Sequence, residues 1–531
     1  MDQKAFNRSS IITFYAFIFL MTLAYSTQIN FAPDAYYYFE IAKNISTHFL
    51  VSFDETSITT GFHPLWMLVC SIVYKLSSSP KVFHLSMLVI QTLLFVLGHF
   101  LLLRSAQKLR LSTSLFLIFS IPVFFVNLTV FQSGVENALL FFLISGFVFT
   151  LTSDLPETKK TIISSSLLSL SYLCRLDSIF LIATFLLYFN WTSLRKKDYK
   201  NLAMANIIIA STVLTHWLIM YFNFDTILPT TAYAIKHFSA PLWDLNWIQR
   251  FSPEEHILTM RIQEILALSG ISRSSPINTY VGLSVPATIL IALISVLKTR
   301  NPSYMPITII GISASLQLAY YALMHGGFMR TWYFTFWFVL IIFGFALLAS
   351  NWLEDKLSKR RNLVTGLCVF IMAVVVVFNY SRKPVTWEKM AEESRLLNEF
   401  TSDEYVLIGF SPDRAAFFSD ANIRDMQGLV NDYDYLRDYL IPGHFASYVR
   451  DVQATHLVIS NNPHLPEKID CSILVASNKH DSLAVLGKYV QHNSYIAIYK
   501  LSLTNKSDLN LPNQNRPLTG LGGLCPSDFG S

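Results

Sequence analysis

Long apolar stretches alternate with short polar loops through the first 380 residues of the chain. Eleven stretches approach the length of about 20 apolar residues that a membrane-spanning helix needs. They are residues 10–27, 83–103, 112–130, 137–153, 161–174, 178–191, 203–222, 281–297, 304–324, 331–350 and 362–380. The pattern predicts an all-α polytopic membrane protein with eleven transmembrane helices.

A further apolar stretch, residues 62–77, is ambiguous because it is short, starts at His63-Pro64 and carries Lys75. The distribution of basic residues decides how to interpret it, since Lys and Arg concentrate in cytoplasmic loops. If 62–77 does not span, the loops assigned to the inside hold seventeen Lys and Arg, and the much longer outside loops hold nine. The stretch is therefore interpreted as interfacial or re-entrant, which places the C-terminus outside the cytoplasm.

The same alternation leaves two large external loops, residues 28–82 and 223–280, within a transmembrane module of residues 1–380. These loops could form one extracytoplasmic cavity. From residue 381 the sequence turns polar, and 381–502 is predicted to be a small extracytoplasmic α/β domain. The residues that follow, 503–531, are rich in Asn, Pro, Gly and Ser and are predicted to be a flexible tail.

The domain prediction depends on one helical stretch and four short β-like runs. They are residues 386–400 for the helix, and 405–410, 455–460, 473–477 and 495–500 for the strands. Composition supports a membrane location: 52% of the residues are hydrophobic and 14% are charged, whereas soluble domains are about a quarter charged. The net charge of +5 is small and no basic run is dense enough to indicate a nucleic-acid partner. The five cysteines show no metal-binding spacing, and whether Cys471 and Cys525 pair stays open.

The first external loop carries the most informative chemistry. Asp34 precedes a segment whose apolar side chains recur at helical spacing, which predicts an amphipathic helix at the membrane surface. The side chains of that face are Tyr38, Ile41, Ala42, Ile45 and Phe49. Asp34 has two interpretations: a cap on the helix N-terminus, or a carboxylate held just above the bilayer to face a lipid-linked substrate. Downstream, His63 and Trp66 stand at the start of the re-entrant segment.

Other charged residues lie at the predicted external ends of spans. Arg175, Lys236 and Arg330 could anchor the helices at the interface or could bind a phosphate group there. Arg175 could also pair with Asp177 across a tight turn. Glu136 begins a span from outside, where its charge either favours the helix N-terminus or belongs to a site.

Several motifs, taken in order along the chain, resemble those of bacterial GT-C glycosyltransferases, which are related to protein mannosyltransferases and to the aminoarabinose transferase of lipid A. Each motif alone is weak, but their order and placement together are more specific. They are Asp34-Ala35-Tyr36-Tyr37-Tyr38, Thr60-Gly61-Phe62-His63-Pro64-Leu65-Trp66, Ser133-Gly134-Val135-Glu136-Asn137-Ala138, Cys174-Arg175-Leu176-Asp177, Leu228-Pro229-Thr230-Thr231 with Lys236, and Gly428-Leu429-Val430-Asn431-Asp432.

The resemblance implies an enzyme of a bacterial inner membrane that moves a sugar, with inversion, from a polyprenyl-phosphate donor to an extracytoplasmic glycan, lipid or protein acceptor. It implies Asp34 as the catalytic base and a group of cations for the donor phosphate, Arg175, Lys236 and Arg330. Further candidates for the site are Tyr37, His63, Trp66, Glu136 and Asp177. Many relatives carry two adjacent acidic residues where this chain has Pro33-Asp34, and one carboxylate is a poor site for a hard cation. No metal ligand is therefore assigned, and a need for a divalent cation stays open.

The rival interpretation is a membrane transporter or a lipid flippase. Transporters usually place ionisable residues near the middle of the membrane and have internal repeats. This chain has few charges within its spans, shows no evident repeat and gathers its polar residues at one face, which favours an enzyme. A scaffold that has lost activity is a third alternative, because the second acidic residue is missing.

Overall fold

The computed structural model has a helical N-terminal part and a C-terminal part built on a β-sheet. The residues it describes are 15–16, 19–20, 31–77, 79–113, 116–117, 120, 131–238, 304–323, 335–340, 342–344, 346, 394–402, 404–410, 413–426, 428–442, 444–460, 472–476, 483–492 and 496–505. Arg330, Cys471 and Cys525 lie outside them.

Nine helices of the N-terminal part have well-defined bounds among the described residues. They are α1 (Pro33–His48), α2 (Pro64–Leu76), α3 (Pro80–Lys108), α4 (Asn137–Thr152), α5 (Glu157–Cys174), α6 (Ile179–Lys196), α7 (Tyr199–Phe224), α8 (Thr230–Phe238) and α9 (Met305–Leu323). The first three begin with proline, whose fixed φ and missing N–H suit the first helical position. A 3-10 turn, Leu176–Ser178, joins α5 to α6.

Three described segments are long and apolar enough to cross a membrane: α3, Leu176–Lys196 and α7. They coincide with the predicted spans 83–103, 178–191 and 203–222. The helices α4, α5 and α9 lie on three further predicted spans, 137–153, 161–174 and 304–324. The chain is an integral membrane protein. The total of eleven spans stays a prediction, because 10–27, 112–130, 281–297, 331–350 and 362–380 lie wholly or partly outside the described residues.

The segment 62–77 contains α2, which has 13 residues. A helix of that length is roughly 20 Å long, short of the ~30 Å hydrocarbon core of a bilayer. The length is compatible with the interfacial or re-entrant placement, which stays a prediction.

The prediction of a one-sided amphipathic helix after Asp34 was wrong in one respect. The helix α1 is present, but its side chains are buried on nearly all sides, including Tyr36, Tyr37 and Glu40. Phe49, predicted on the apolar face, is 86% exposed, because the chain leaves the helix there in the left-handed conformation with φ 57°. The face that periodicity assigned to solvent is covered by the C-terminal part.

Residues 394–505, here called the C-terminal unit, contain a six-stranded sheet in the order β2-β1-β3-β6-β5-β4. The strands are β1 (Leu407–Phe410), β2 (Ile423–Asp425), β3 (His456–Ser460), β4 (Ser472–Ala476), β5 (Leu483–His492) and β6 (Ile496–Asn505). The first three pair in parallel and the others are antiparallel. Two short helices, α10 (Asp413–Phe418) and α11 (Phe445–Asp451), connect parallel strands.

All four predicted β-like runs lie on strands, whereas β2 and β5 were not predicted. Of the predicted helix 386–400, the described part is helical, ending in a 3-10 turn at Asn398–Phe400. The separation of a domain at residue 381 and the extracytoplasmic place of this unit stay predictions.

The C-terminal unit packs directly on α1 through α10. The ring of Phe417 lies 5.6 Å from that of Phe39 and 6.0 Å from that of Tyr36. Lys43 adds a polar contact, since its Nζ donates to the carbonyl oxygen of Ser419 at 3.2 Å. Phe417 also contacts Tyr74 of α2 and Phe83 of α3, so the unit packs where these helices meet α1.

Candidate functional site

The turn that precedes α4, Ser133–Glu136, is held from three sides. The backbone N–H of Ala32 donates to the Ser133 carbonyl at 2.7 Å, and Trp66 Nε1 donates to the Gly134 carbonyl at 3.0 Å. Gln91 accepts from the Gly134 N–H and donates to the Val135 carbonyl. Gly134 has φ +85°, and a Cβ there would lie 2.5 Å from that of Ala35, so only glycine fits. These contacts fix the position of Glu136 relative to α1 and α2.

Glu136 belongs to a buried ion cluster with Arg175 and Asp177. Arg175 Nη1 donates to Glu136 Oε1 at 2.6 Å, while its Nε and Nη2 donate to Asp177 Oδ1 and Oδ2 at 3.1 and 3.0 Å. The side chains are 3–10% exposed. Asp177 also accepts from Gln317 Nε2 at 2.8 Å and from the Tyr321 hydroxyl at 2.7 Å. Since buried charges are stable only when paired and hydrogen-bonded, this network ties α4, the α5–α6 turn and α9 together.

His63 lies at the edge of this ion cluster. Its Nε2 is 3.8 Å from Glu136 Oε1, and its backbone N–H donates to the Tyr38 hydroxyl at 3.3 Å. Burial lowers the pKa of His63, and the nearby Glu136 carboxylate opposes this only in part, so the imidazole is neutral at pH 7. Its Nδ1 is buried and has no hydrogen-bond partner among the described residues. The neutral ring leaves one nitrogen for a ligand.

Asp34 stands in the first turn of α1 and is partly exposed. The residue before the helix is Ala32, whose side chain forms no capping hydrogen bond. Side chains four residues apart share a helix face, so Asp34 lies on the side of α1 that also carries Tyr38. The Tyr38 hydroxyl accepts from the backbone N–H of His63, so this side of α1 faces the loop before α2.

Tyr37 and Trp66 are structural neighbours of that region. The Tyr37 hydroxyl donates to Asp425 Oδ1 of the C-terminal unit at 3.4 Å, and Trp66 is fully buried against the Gly134 turn. Lys236 lies on α8, beyond the part of that helix whose side chains are described. Any role of Arg330 falls outside the described residues. The structure thus brings together His63, Glu136, Arg175 and Asp177, and places Asp34 in the first turn of α1.

A cavity of about 660 Å³, here called the groove, lies next to the ion cluster. One wall is a stripe on α7 that repeats every four residues and covers about 20 Å of helix. Lining residues in this stripe are Ser211, Thr212, Thr215, His216, Ile219, Met220, Asn223 and Phe224; the opposite wall has Val51, Ile58, Thr59, Thr60, Phe62, Pro64, Leu173, Leu176 and Pro229. Phe62 and Pro64, which flank His63 in the chain, and Leu176, which follows Arg175, belong to this wall, so the groove lies near the ion cluster.

Comparison with known proteins identifies the fold. No protein-family model matches the sequence, and no curated protein does. Among solved structures, ArnT from Cupriavidus metallidurans bound to undecaprenyl phosphate is similar with a TM-score of 0.57 over 93% of this chain and 98% of that one, at 12% identity. The chain has the GT-C fold.

AglB, the archaeal oligosaccharyltransferase from Archaeoglobus fulgidus, was solved with an inhibitory peptide and a dolichol-phosphate. It is similar with a TM-score of 0.52 over 85% of this chain and 70% of that one, at 11% identity. At such identities the similarity establishes the GT-C fold alone.

Within this GT-C chain, several polar residues of the site were not predicted from the sequence. Gln317 and Tyr321 reach Asp177 from α9, and their spacing of four on an otherwise apolar span was a usable signal, since buried polar side chains in a membrane need partners. His216 lines the groove and its Nδ1 lies 3.0 Å from the Tyr172 hydroxyl. A lone histidine in a predicted span gave no indication of that pairing. The described residues contain no group of three His, Cys, Asp or Glu arranged for a metal ion.

Proposed function

We propose that the protein is a membrane glycosyltransferase of the GT-C type. It would move one sugar from a polyprenyl-phosphate donor to an extracytoplasmic acceptor with inversion. The observation that carries the proposal is the similarity of 93% of the chain to ArnT, a protein solved with undecaprenyl phosphate. Two further features support it: the partly exposed Asp34 in the first turn of α1, and the groove near the buried ion cluster.

The reaction assigned to the site is a single displacement at the anomeric carbon. An acceptor hydroxyl attacks that carbon from the face opposite the phosphate, so the configuration inverts. The bond between the anomeric carbon and the phosphate oxygen breaks, and the polyprenyl phosphate leaves with the electron pair. Asp34, as general base, takes the proton of the acceptor hydroxyl. Because Asp34 is partly exposed and stands at the start of a helix that is fixed in position, an acceptor hydroxyl can reach its carboxylate at the protein surface.

The leaving phosphate needs cations at the membrane surface. Lys236 and Arg330 are assigned to this role on their sequence positions. Arg175 was a third candidate, but its three guanidinium nitrogens already contact Glu136 and Asp177. We therefore assign Arg175 a structural role, in which it holds the start of α4 and the α5–α6 turn together. Its pairing with Asp177 is the alternative to phosphate binding that the sequence also allowed.

The groove is assigned to the apolar part of the donor. Its α7 wall runs down a helix long and apolar enough to cross a membrane. Most of the surface that lines the groove is apolar, although the α7 wall also carries the polar residues Ser211, Thr212, Thr215, His216 and Asn223. An isoprenoid chain would lie along α7 with its phosphate toward the external end, where α8 begins. Burial of such a chain against apolar side chains would contribute about 25 cal/mol for each Å² removed from water.

The test uses purified protein in lipid vesicles with synthetic undecaprenyl-phosphate sugars and extracted envelope acceptors. Transfer of the sugar, with inverted configuration in the product, supports the proposal. Movement of the intact donor between leaflets without transfer would instead establish the flippase alternative. Assays with and without EDTA decide whether a divalent cation is required, independently of either result.

A further inference from the structure

The segment Gly428–Tyr433 of the C-terminal unit, here called the GLVNDY turn, has no role in the reaction proposed above. In the structure it lies where three distant parts of the chain meet: the first external loop, the start of α8, and the unit's own core. Each of these contacts is made by a different residue of the turn. Its contacts therefore determine how the first external loop and α8 pack against the C-terminal unit.

The first contact is with the loop before α2. A Cβ added to Gly61 would lie 1.9 Å from the backbone oxygen of Leu429, so the two backbones touch with no room for a side chain. The turn is itself fixed, since the Leu429 N–H donates to Asp425 Oδ2 at 3.2 Å and Asn431 Nδ2 donates to the Asp425 carbonyl at 2.7 Å. Asp425 is also the residue that Tyr37 of α1 contacts. The turn is thus locked to both α1 and the Gly61 loop.

The second contact is with the start of α8. The Tyr433 hydroxyl donates to the Leu228 carbonyl and lies 3.3 Å from the Thr60 hydroxyl. Thr60 in turn accepts from the backbone N–H of Thr230, the first residue of α8, at 3.1 Å. The Tyr433 ring also lies 5.8 Å from the ring of Tyr233. One tyrosine of the C-terminal unit therefore joins the first external loop to the N-terminus of α8.

The third contact is within the unit's own core. Gly428 has φ +76°, and a Cβ there would meet Leu440 and Leu436 at 2.4 and 2.7 Å, with Ala234 of α8 at 3.6 Å. Ala234 is fully buried in the cluster that includes Met426 and Leu436. The helix α8 is therefore packed into the core of the C-terminal unit.

We infer that the GLVNDY turn is a positioning element of the donor site. It sets α8, and with it Lys236, at the external end of the groove, to which Thr60, Phe224 and Pro229 also contribute. The C-terminal unit then contributes to the donor site by holding α8 in position. The inference rests on the proposed function for the role of Lys236, whereas the positioning of α8 is a separate claim.

Two substitutions change the contact without touching the assigned base or cations. Tyr433→Phe removes the hydroxyl and keeps the ring, and Gly61→Ala forces the Gly61 loop and the turn apart. Two matched controls are available. Tyr439→Phe removes an exposed hydroxyl of the same unit that donates to Asp451 Oδ2 at 3.0 Å. A Cβ at Gly146 on α4 would meet Leu167 and Leu101 side chains at ordinary contact distances of 3.4–3.9 Å, so Gly146→Ala causes no clash with them.

Hydrogen exchange of α8 in detergent and the Kd for undecaprenyl phosphate are measured for all four variants and the wild type. We expect exchange of the α8 amides to rise about 10-fold in Tyr433→Phe and further in Gly61→Ala. We expect the Kd to rise about 3- to 30-fold in the same order, with the number of binding sites per protein unchanged. Both controls should resemble the wild type.

A role limited to stability would lower the number of sites and leave the Kd unchanged, and this result would overturn the inference. Unchanged α8 exchange in both Tyr433→Phe and Gly61→Ala would overturn it as well. If the wild type itself does not bind undecaprenyl phosphate, the proposed donor is wrong. The exchange comparison then still supports or overturns the positioning of α8.

Discussion

Arg175 Nη1 donates to Glu136 Oε1 at 2.6 Å, across 39 positions of sequence. The contact joins the residue before α4 to the residue after α5, and both side chains are nearly fully buried. In such a place either charge alone would be strongly unfavourable, because the remaining partner could not recover its hydration. The pair therefore fixes two helix ends at the predicted external face.

Removing the shared cation of this ion cluster should destabilise the protein strongly. We expect Arg175→Ala to cost about 3–5 kcal/mol, because it leaves Glu136 and Asp177 as uncompensated buried charges. Glu136→Ala should cost less, because Arg175 stays paired with Asp177. Thermal unfolding in detergent measures the effect. Arg437→Ala, which breaks exposed ion pairs with Asp434 and Asp438, serves as the control and should leave the unfolding temperature unchanged. Variants at Glu136 and Arg175 that unfold like the wild type would contradict the buried ion cluster.

Loss of a donor-phosphate cation should weaken binding without unfolding the protein. A charge-assisted contact contributes about 1.5–3 kcal/mol, so Lys236→Ala should raise the Kd for undecaprenyl phosphate about 10- to 100-fold. Lys159→Ala, at the exposed start of α5 on the predicted inside, is the matched control. An unchanged Kd in Lys236→Ala would remove this residue from the site and leave Arg330 as the remaining assigned cation.

The elements of this fold follow well from local sequence, and their mutual contacts do not. The prolines at positions 33, 64 and 80 mark three helix starts, and four apolar runs mark four strands, because these signals act over a few residues. The strand β5 was missed since Gly487, Lys488 and Gln491 interrupt its apolar pattern. The three-residue β2 is too short to have a period.

The site shows the same division between local and distant information. The pairing of Arg175 with Asp177 could be predicted from their spacing of two, whereas Glu136 and Tyr321 come from other helices that only the packed fold brings near. Similarly, the periodicity of α1 predicts that only one face is buried. The other face is covered by the C-terminal unit, and no feature of the local sequence indicates that contact. Tertiary burial overrides the local pattern there.

The buried carboxyl of Glu40 should make the stability of the protein depend on pH. Burial raises the pKa of Glu40 from 4.5 to about 7, although Lys43 Nζ lies 3.1 Å away and lowers it in part. Since the folded chain holds this proton more tightly than the unfolded chain, stability falls as the pH rises from 4.5 to about 7. At 1.4 kcal/mol for each pKa unit, the loss is about 3 kcal/mol.

Unfolding temperatures between pH 5 and pH 8 test this for the wild type and Glu40→Gln, which cannot ionise. The variant should lose less stability over that range than the wild type. Glu157→Gln is a close control, because Glu157 forms the same i,i+3 pair with Lys160 at 3.2 Å but is 74% exposed. Equal pH slopes for the wild type and Glu40→Gln would show that Glu40 is not buried as described.

The topology predicted from the basic loops can be checked with two fusions. A reporter enzyme that works only in the cytoplasm should be active after residue 355 and silent after residue 400, because Lys356, Lys359, Arg360 and Arg361 should hold the first site inside. Protein amount is measured in parallel by a tag on each fusion. Activity after 400 with silence after 355 would reverse the orientation and, with it, the assignment of Asp34 to the outside.

Asp34 gives the sharpest separation between a structural and a catalytic role. The N-cap residue of α1, Ala32, forms no side-chain cap, and the charge of Asp34 in the first turn interacts favourably with the helix dipole, by about 0.3–1 kcal/mol. Asp34→Asn should therefore fold almost as well as the wild type. Because Asn cannot accept the proton, sugar transfer should fall about 100- to 10,000-fold. Asp34→Ala should be equally inactive.

The control for this pair of substitutions is Asp198, which caps α7 by accepting from the Asn201 N–H at 3.3 Å. Asp198→Asn preserves a good cap and Asp198→Ala removes it, so only the second should lose stability, by about 1 kcal/mol. Neither should change transfer, since this helix end lies on the predicted inside. If Asp34→Asn instead keeps most of the transfer rate and behaves as Asp198→Asn does, Asp34 is not the base. Glu136 would then be the next carboxylate to test, and its contact with Arg175 would have to open during the reaction.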